Sequence, residues 1–266
     1  MISLLLILLP LLTGLAAFFI KDEKLARTWA VLASFATLTI AILSLCCMND
    51  TKSLNYHCEW LPSLGASFSL KMDGVAQLLC LLNTIAYPLV FIAGWDKTYK
   101  NAKNFFALML LAQAGIMGVF LAADALLFYF FWELALIPMY FLCSQWGGEK
   151  RVAVTFKFFI YTFIGSLLML ISILYLYGQT PDHSFSIESF YNLKLTSKQQ
   201  SIPFWLMFVA FAVKMPIFPV HTWQPDTYEQ APTSTTMILS GVMVKMGVFG
   251  LIRWLFPIFS TASFVW

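Results

Sequence analysis

The sequence predicts an all-α polytopic membrane protein with about eight transmembrane helices, one of them broken. Three observations carry this. Of 266 residues, 60% are hydrophobic and 11% charged, with a mean hydropathy of +0.80. An average soluble domain has roughly 25% charged residues, and so few charges cannot build a polar shell around a core of this size. Apolar runs near twenty residues recur along the whole length, each long enough to cross ~30 Å of hydrocarbon. Two prolines, Pro216 and Pro219, interrupt one of those runs just after a lysine.

The runs lie near 2–20, 28–48, 74–95, 104–121, 124–143, 153–177, 202–220 and 232–256. The first has the length of a signal peptide, but it lacks a basic n-region and a small-residue cleavage site. It also carries Pro10 and Gly14 inside a run long enough to span, so it reads as the first transmembrane helix. A long polar connection from Asn49 to Met72 follows the second run, and another from Gly178 to Ser201 follows the sixth. Only Ala122, Ala123 and Asp124 join the fourth and fifth, which requires a tight antiparallel hairpin. Basic residues set the orientation. Lys21, Lys24 and Arg27 follow the first run, Lys97, Lys100 and Lys103 the third, and Lys150 and Arg151 the fifth. Lys52, Lys71, Lys194, Lys198 and Arg253, on the opposite side, are fewer and sit mostly in long loops. The expected topology puts the N-terminus outside, in the periplasm of a Gram-negative cell.

Composition also excludes classes of function. The net charge of +3 is small, and Lys and Arg are scattered through short loops rather than gathered on one face, so nucleic acid is not a partner. Cys46, Cys47, Cys58, Cys80 and Cys143 show no CxxC or CxxxC spacing, so neither a zinc nor a cluster site is indicated. The four in or at the ends of apolar runs read as small buried hydrophobes. No paired intramembrane histidines offer haem ligation, and no GxGxxG signals a dinucleotide.

Three ionisable residues fall inside the predicted hydrocarbon: Glu133, Lys214 and Lys245. Glu133 lies about ten residues into its run, roughly 15 Å deep. Each such charge costs on the order of 2.5–3.5 kcal/mol on insertion scales, so the three must face one another or water inside the protein. Two readings stand. One is a packing salt bridge between Glu133 and either lysine. The other is a proton path, because burial brings both amines and carboxyls toward proton exchange near neutral pH. The surroundings favour the path. Pro216 cannot donate to the carbonyl of Ala212, nor Pro219 to that of Met215, so the seventh helix should kink or break beside Lys214. Carbonyls freed within a membrane line a cavity or bond to protein.

The eighth run opens with Pro232-Thr233-Ser234-Thr235-Thr236, whose hydroxyls can serve a path or bond back to their own helix. Gly241, Gly247 and Gly250 around Lys245 should allow close helix approach. His221 can titrate near the membrane surface and relay protons, or be structural. Lys157, near the start of the sixth run, reads as a snorkelling anchor or an intermediate proton site.

Two stretches resemble the antiporter-like subunits of respiratory complex I and their Mrp-antiporter relatives. One is FYFFWELALIPMYFLCSQWGGEKRVAVTFKFFIYT, around Glu133 and Lys157. The other is AFAVKMPIFPVHTWQPDTYEQAPTSTTMILSGVMVKMG, around Lys214 and Lys245. Within that family the ELALIPMYFL form is closer to the subunit M branch than to L or N. The resemblance covers nearly the whole chain and implies the first part of a fold of about fourteen helices with two inverted five-helix repeats. Residues 1–103 would hold three N-terminal helices with a long outer loop, 104–256 the first repeat (helices four to eight), and 257–266 the start of the link. A second half, in about six more helices, is expected beyond Trp266.

By resemblance, Glu133 is the coupling glutamate paired with Lys214, the switching lysine of the broken helix. Lys245 is the central link onward, with His221 and Lys157 further members of the path. The implied function is proton translocation driven by quinone reduction elsewhere in the complex, in a bacterial inner membrane, beside the antiporter-like subunits L and N. No cofactor is expected on this chain; FMN, iron–sulfur clusters and quinone belong to other subunits. The alternative is an Mrp-type Na⁺/H⁺ antiporter or hydrogenase membrane-arm subunit. One departure is Tyr228, where the family's PDAHVEAP pattern carries a histidine.

Overall fold

The structure is a computed structural model and describes residues 1–46 and 51–265. Its main elements are α1 Ile2–Ala17, α2 Glu23–Cys46, β1 Tyr56–Leu61, β2 Ala66–Leu70, α3 Gly74–Ala93, α4 Ala102–Leu121, α5 Ala125–Trp146, α6 Arg151–Gln179, α7 Ser197–Lys214, α8 Trp223–Gln230 and α9 Thr233–Ile258. Among the described residues, six helices, α2 to α6 and α9, are long and apolar enough to cross a membrane. Helix α1 is shorter, at 16 residues, and stops at Ala17 rather than near residue 20. Helix α7 begins earlier than its apolar run, at Ser197. A Thr196/Gln199 capping box starts it, and its first turns are polar.

Helix α4 is the centre of the bundle, packed between α1, α2 and α3 on one side and α5 on the other. The α4–α5 approach is close because Gly115 has no side chain: a Cβ there would lie 2.7 Å from the backbone nitrogen of Ala135. The expected hairpin is present, and Asp124 caps α5 by accepting from Leu126 and Leu127.

Two ends of the bundle can be told apart. At one, Arg27 donates to the carbonyls of Trp95 and Lys97, Trp146 to that of Lys100, and Lys97 to Thr233. This brings together the basic connections that follow the first, third and fifth helices. At the other end the long loops knit over the α4–α5 hairpin. Their largest feature was not expected from an all-α reading: an antiparallel hairpin, β1–β2, with Tyr56 opposite Leu70. Its edge continues into the chain through Ala123 donating to Ser69 and Ile187 to Ala123. Arg253 of α9 pairs with Asp73 at the start of α3 on this same end, and Tyr191 donates to the Arg253 carbonyl.

Two further expectations need correction. Cys80 and Cys143 are buried, but Cys46 at the end of α2 is exposed, as is Cys58 in β1; Cys47 lies outside the described residues. Gly247 does serve close approach, since a Cβ there would sit 3.0 Å from the Phe211 carbonyl oxygen of α7, but a Cβ at Gly241 would meet nothing within 4 Å.

Candidate functional site

Helix α7 ends at Lys214, and the chain turns through residues 215–222 before α8 resumes it. The prolines dictate this, and the freed carbonyls find partners nearby. Ile217 donates to Ala212 at 2.9 Å, and the Trp223 indole donates to Val213 at 2.9 Å. The expected break therefore lies beside the expected lysine.

Lys214 is 2% exposed, and its Nζ has no hydrogen-bond partner. Its ammonium lies 5.4 Å from the centroid of the Trp132 ring on α5. A desolvated contact of this kind contributes about 2 kcal/mol, which offsets most of the ~2.5–3.5 kcal/mol cost of inserting the charge. Glu133, next in sequence to that tryptophan, is half-buried, and its Oε1 has no partner. Ser166 of α6, whose hydroxyl donates to the Phe163 carbonyl at 2.8 Å, and Lys214 of α7 are its polar neighbours. The direct Glu133–Lys214 pair implied by the resemblance is not closed. Among the described residues the ion pairs are Arg27–Glu23, Lys71–Glu188, Lys157–Asp226 and Arg253–Asp73. The ammonium meets the Trp132 ring on α5 instead. Beside Glu133, Trp60, Tyr129, Phe130 and Ile137 line an apolar groove of about 280 Å³.

Lys157 sits at the far side of the break. Its Nζ is 2.7 Å from Asp226 Oδ2 and donates to the Thr222 carbonyl at 2.8 Å. One turn on, Tyr161 accepts from the Thr222 hydroxyl at 3.0 Å, and the Phe158 ring packs on Trp223 with centroids 5.1 Å apart. Helix α6 thus clasps the start of α8. His221 lies in the turn, with its ring 5.7 Å from that of Phe218 and its Nδ1 unpartnered.

Lys245 lies on α9 between two π-helical turns, Leu239–Met243 and Leu251–Leu255. Such turns release carbonyls from the α pattern, and Lys245 Nζ donates to the Ser240 carbonyl at 2.7 Å. Gly247, on Phe211 and Met215, sets this part of α9 level with the break. The hydroxyl cluster divides. Thr233 meets Lys97, Ser234 meets Tyr99, and Thr236 bonds back to Tyr228 and Ala231; only Thr235 Oγ1, fully buried, is unpartnered. Tyr228, in place of the family's histidine, also carries an unpartnered hydroxyl.

The structure thus gathers Glu133, Trp132, Ser166 and Lys214 in one cluster, places His221 and Lys157 across the break, and sets Lys245 on the helix packed against it. Sequence reasoning missed Trp132, Ser166 and Asp226 as site residues. Trp132 adjoins the buried glutamate, and Asp226 is the acidic residue nearest the break; those positions were the available signals.

Residues 122–266 match the model of the family described as NADH:quinone oxidoreductase/Mrp antiporter, TM. The chain is 35% identical over 259 residues to F(420)H(2) dehydrogenase subunit M of Methanosarcina mazei, covering 94% of this chain and 52% of that protein. It is 40% identical over 213 residues to NADH-quinone oxidoreductase subunit M of Escherichia coli K12, covering 77% and 42%. Among solved structures, a chain of respiratory complex I from Thermus thermophilus superposes with a TM-score of 0.84 at 27% identity, over 98% of this chain and 54% of that one. The chain spans about half the length of these relatives. By the family model, which covers more than half of its residues, and by a fold shared along almost its whole length, the chain belongs to the NADH:quinone oxidoreductase/Mrp antiporter transmembrane family.

Proposed function

We propose that this chain is the first part of a subunit M-type, proton-translocating component of the membrane arm of NADH:quinone oxidoreductase. Residues 104–256 form the first of two inverted repeats. The observation that carries the reading is the bare ammonium of Lys214, buried at a helix break next to a carboxylate it does not touch. A structural ion pair would be closed. An open pair can be closed and reopened, and this is what a switch requires.

In this reading Glu133 and Lys214 form the switch. Closing the pair holds the proton on Lys214, and opening it returns the ammonium to the Trp132 ring and lets the proton pass toward Lys245. Moving one charge against 100 mV takes ~2.3 kcal/mol, within what making or breaking a partly desolvated pair supplies. Lys245 links onward through the π turns, His221 relays at the mouth, and Lys157 takes part by holding α8 in place. One relative is named for F(420)H(2) and another for NADH and quinone. We therefore assign the electron chemistry, with its FMN, iron–sulfur clusters and quinone, to other subunits, and charge movement to this one. Antiporter-like neighbours of the L and N type flank it in a bacterial inner membrane, with the N-terminus in the periplasm. Mrp-type cation exchange is the alternative within the same family.

The test is Glu133→Gln, which keeps size and hydrogen bonding and removes the charge. We expect normal assembly with collapse of proton pumping and of the coupled NADH oxidation. Normal pumping in the Gln variant would return the pair to a packing role.

A further inference from the structure

Two clusters stand out among the unpartnered buried polar atoms, besides single atoms of Ser3, Arg27, Arg253 and Trp254. Glu133, Lys214, His221, Tyr228 and Thr235 surround the break, but Asn83 Oδ1, Tyr87 Oη and both amide atoms of Gln113 do not. All three of these side chains are buried, each at 0% exposure. They lie on α3 and α4, outside the set of residues assigned to the path.

Their convergence follows from the helix geometry. Asn83 Nδ2 donates to the Gln113 carbonyl at 3.4 Å, and the Phe91 and Phe106 rings meet at 5.7 Å. These two contacts fix α3 and α4 antiparallel. Phe106 and Gln113 are about two turns apart and so share the face of α4 that meets α3. Tyr87 is one turn from Asn83 on the matching face of α3, between the two contacts. Side chains on a helix lean toward its N-terminus. In an antiparallel pair this tilts Gln113 toward the level of Tyr87, and Tyr87 toward the level of Asn83. On this geometry the phenol and both side-chain amides face one space between the helices, and the one bond there runs from Asn83 Nδ2 to the Gln113 backbone carbonyl rather than to another of these side chains.

We propose that this space is a binding site for internal water, built by residues that have no assigned part in the proton path. An amide oxygen, a full carboxamide and a phenol give three directions of donors and acceptors, which suits a water molecule that makes two to four bonds. Left dry inside the bilayer, the same atoms would keep the full desolvation penalty of an unmade hydrogen bond. The group is neutral, so it recruits a neutral ligand and no ion. The argument rests on the fold alone and stands whether or not the proposed function does.

Two measurements on the full-length protein in its purified membrane complex test it. A high-resolution cryo-EM map should show ordered density within hydrogen-bonding distance of Asn83 Oδ1, the Gln113 amide and Tyr87 Oη. A dry space, or direct bonds closing the three side chains on one another, overturns the proposal. Thermal inactivation of Gln113→Leu, a change of nearly equal volume, gives an independent sign. With water present, Leu orphans the water and its other partners, and the inactivation temperature should fall. A dry site predicts the reverse, because Leu then removes two unpaired atoms. A rise or no change contradicts the proposal, and Tyr87→Phe should shift the temperature in the same direction by less.

Discussion

Asp124 caps α5 and Glu133 lies in its interior, and the two carboxylates of this one helix are treated in opposite ways. Asp124 is fully buried and accepts from Leu126, Leu127 and both the backbone and hydroxyl of Ser67. Glu133 keeps an oxygen with no partner. The same contrast separates the cations of the hairpin end and of the break. Arg253 is buried and paired with Asp73, whereas Lys214 is more deeply buried and has neither a carboxylate nor a hydrogen-bond partner, only the Trp132 ring. A buried charge that serves the fold is satisfied from several directions. One that must change partner or protonation is left short, and the loss of stability is borne by the rest of the structure.

If that contrast is right, mutations at the two kinds of site should fail differently. The largest loss of protein should come from Asp124→Ala. It removes an N-cap, leaves the Leu127 donor buried and unpaired and frees the partly buried Ser67 and Leu126 donors, a loss of about 2–3 kcal/mol. Assembled complex should fall sharply on native gels, unlike in Glu133→Gln. Equal assembly of the two variants would erase the distinction.

Lys157 should give a smaller and more selective result. Its pair with Asp226 is partly exposed, so stability changes by about 1 kcal/mol or less, but its clasp on α8 sets the geometry of the break. Lys157→Gln should lower pumping at normal assembly, and Lys157→Arg should restore it, because a fixed positive charge is enough for a clasp. Failure of the Arg variant would make Lys157 a carrier. Two glycines of α9 should separate. Gly247→Ala crowds Phe211 and Met215 at a cost of about 1–3 kcal/mol, whereas Gly241→Ala enters open space and should have the smallest effect of all, leaving assembly and pumping unchanged.

Much of this was legible in the sequence, for identifiable reasons. Continuous apolar runs announce helices without reference to neighbours, and Pro216 and Pro219 placed the break to the residue. The β1–β2 hairpin was not legible. YHCEWL lacks the alternation of a strand with a buried face, because β1 is largely exposed and docks through its partner strand. The break itself was predicted, but its satisfaction by Trp223 was not. The Lys157–Asp226 pair and the Trp132–Lys214 contact join distant segments, and no local pattern encodes them. The spacing of glycines suggested three close approaches around Lys245; the actual rotation of α9, with its two π turns, turned Gly241 away.

The central claim is that Lys214 is left bare because it must lose its proton. Arginine keeps the charge and essentially cannot lose it. The decisive measurement is ΔpH formation driven by NADH oxidation in membrane vesicles, normalised to assembled complex, for Lys214→Arg beside Lys214→Ala. The account predicts that both variants lose most of the pumping, even at wild-type assembly. Near-normal pumping in the Arg variant, with failure of the Ala variant, would show that Lys214 only balances Glu133 and would contradict it.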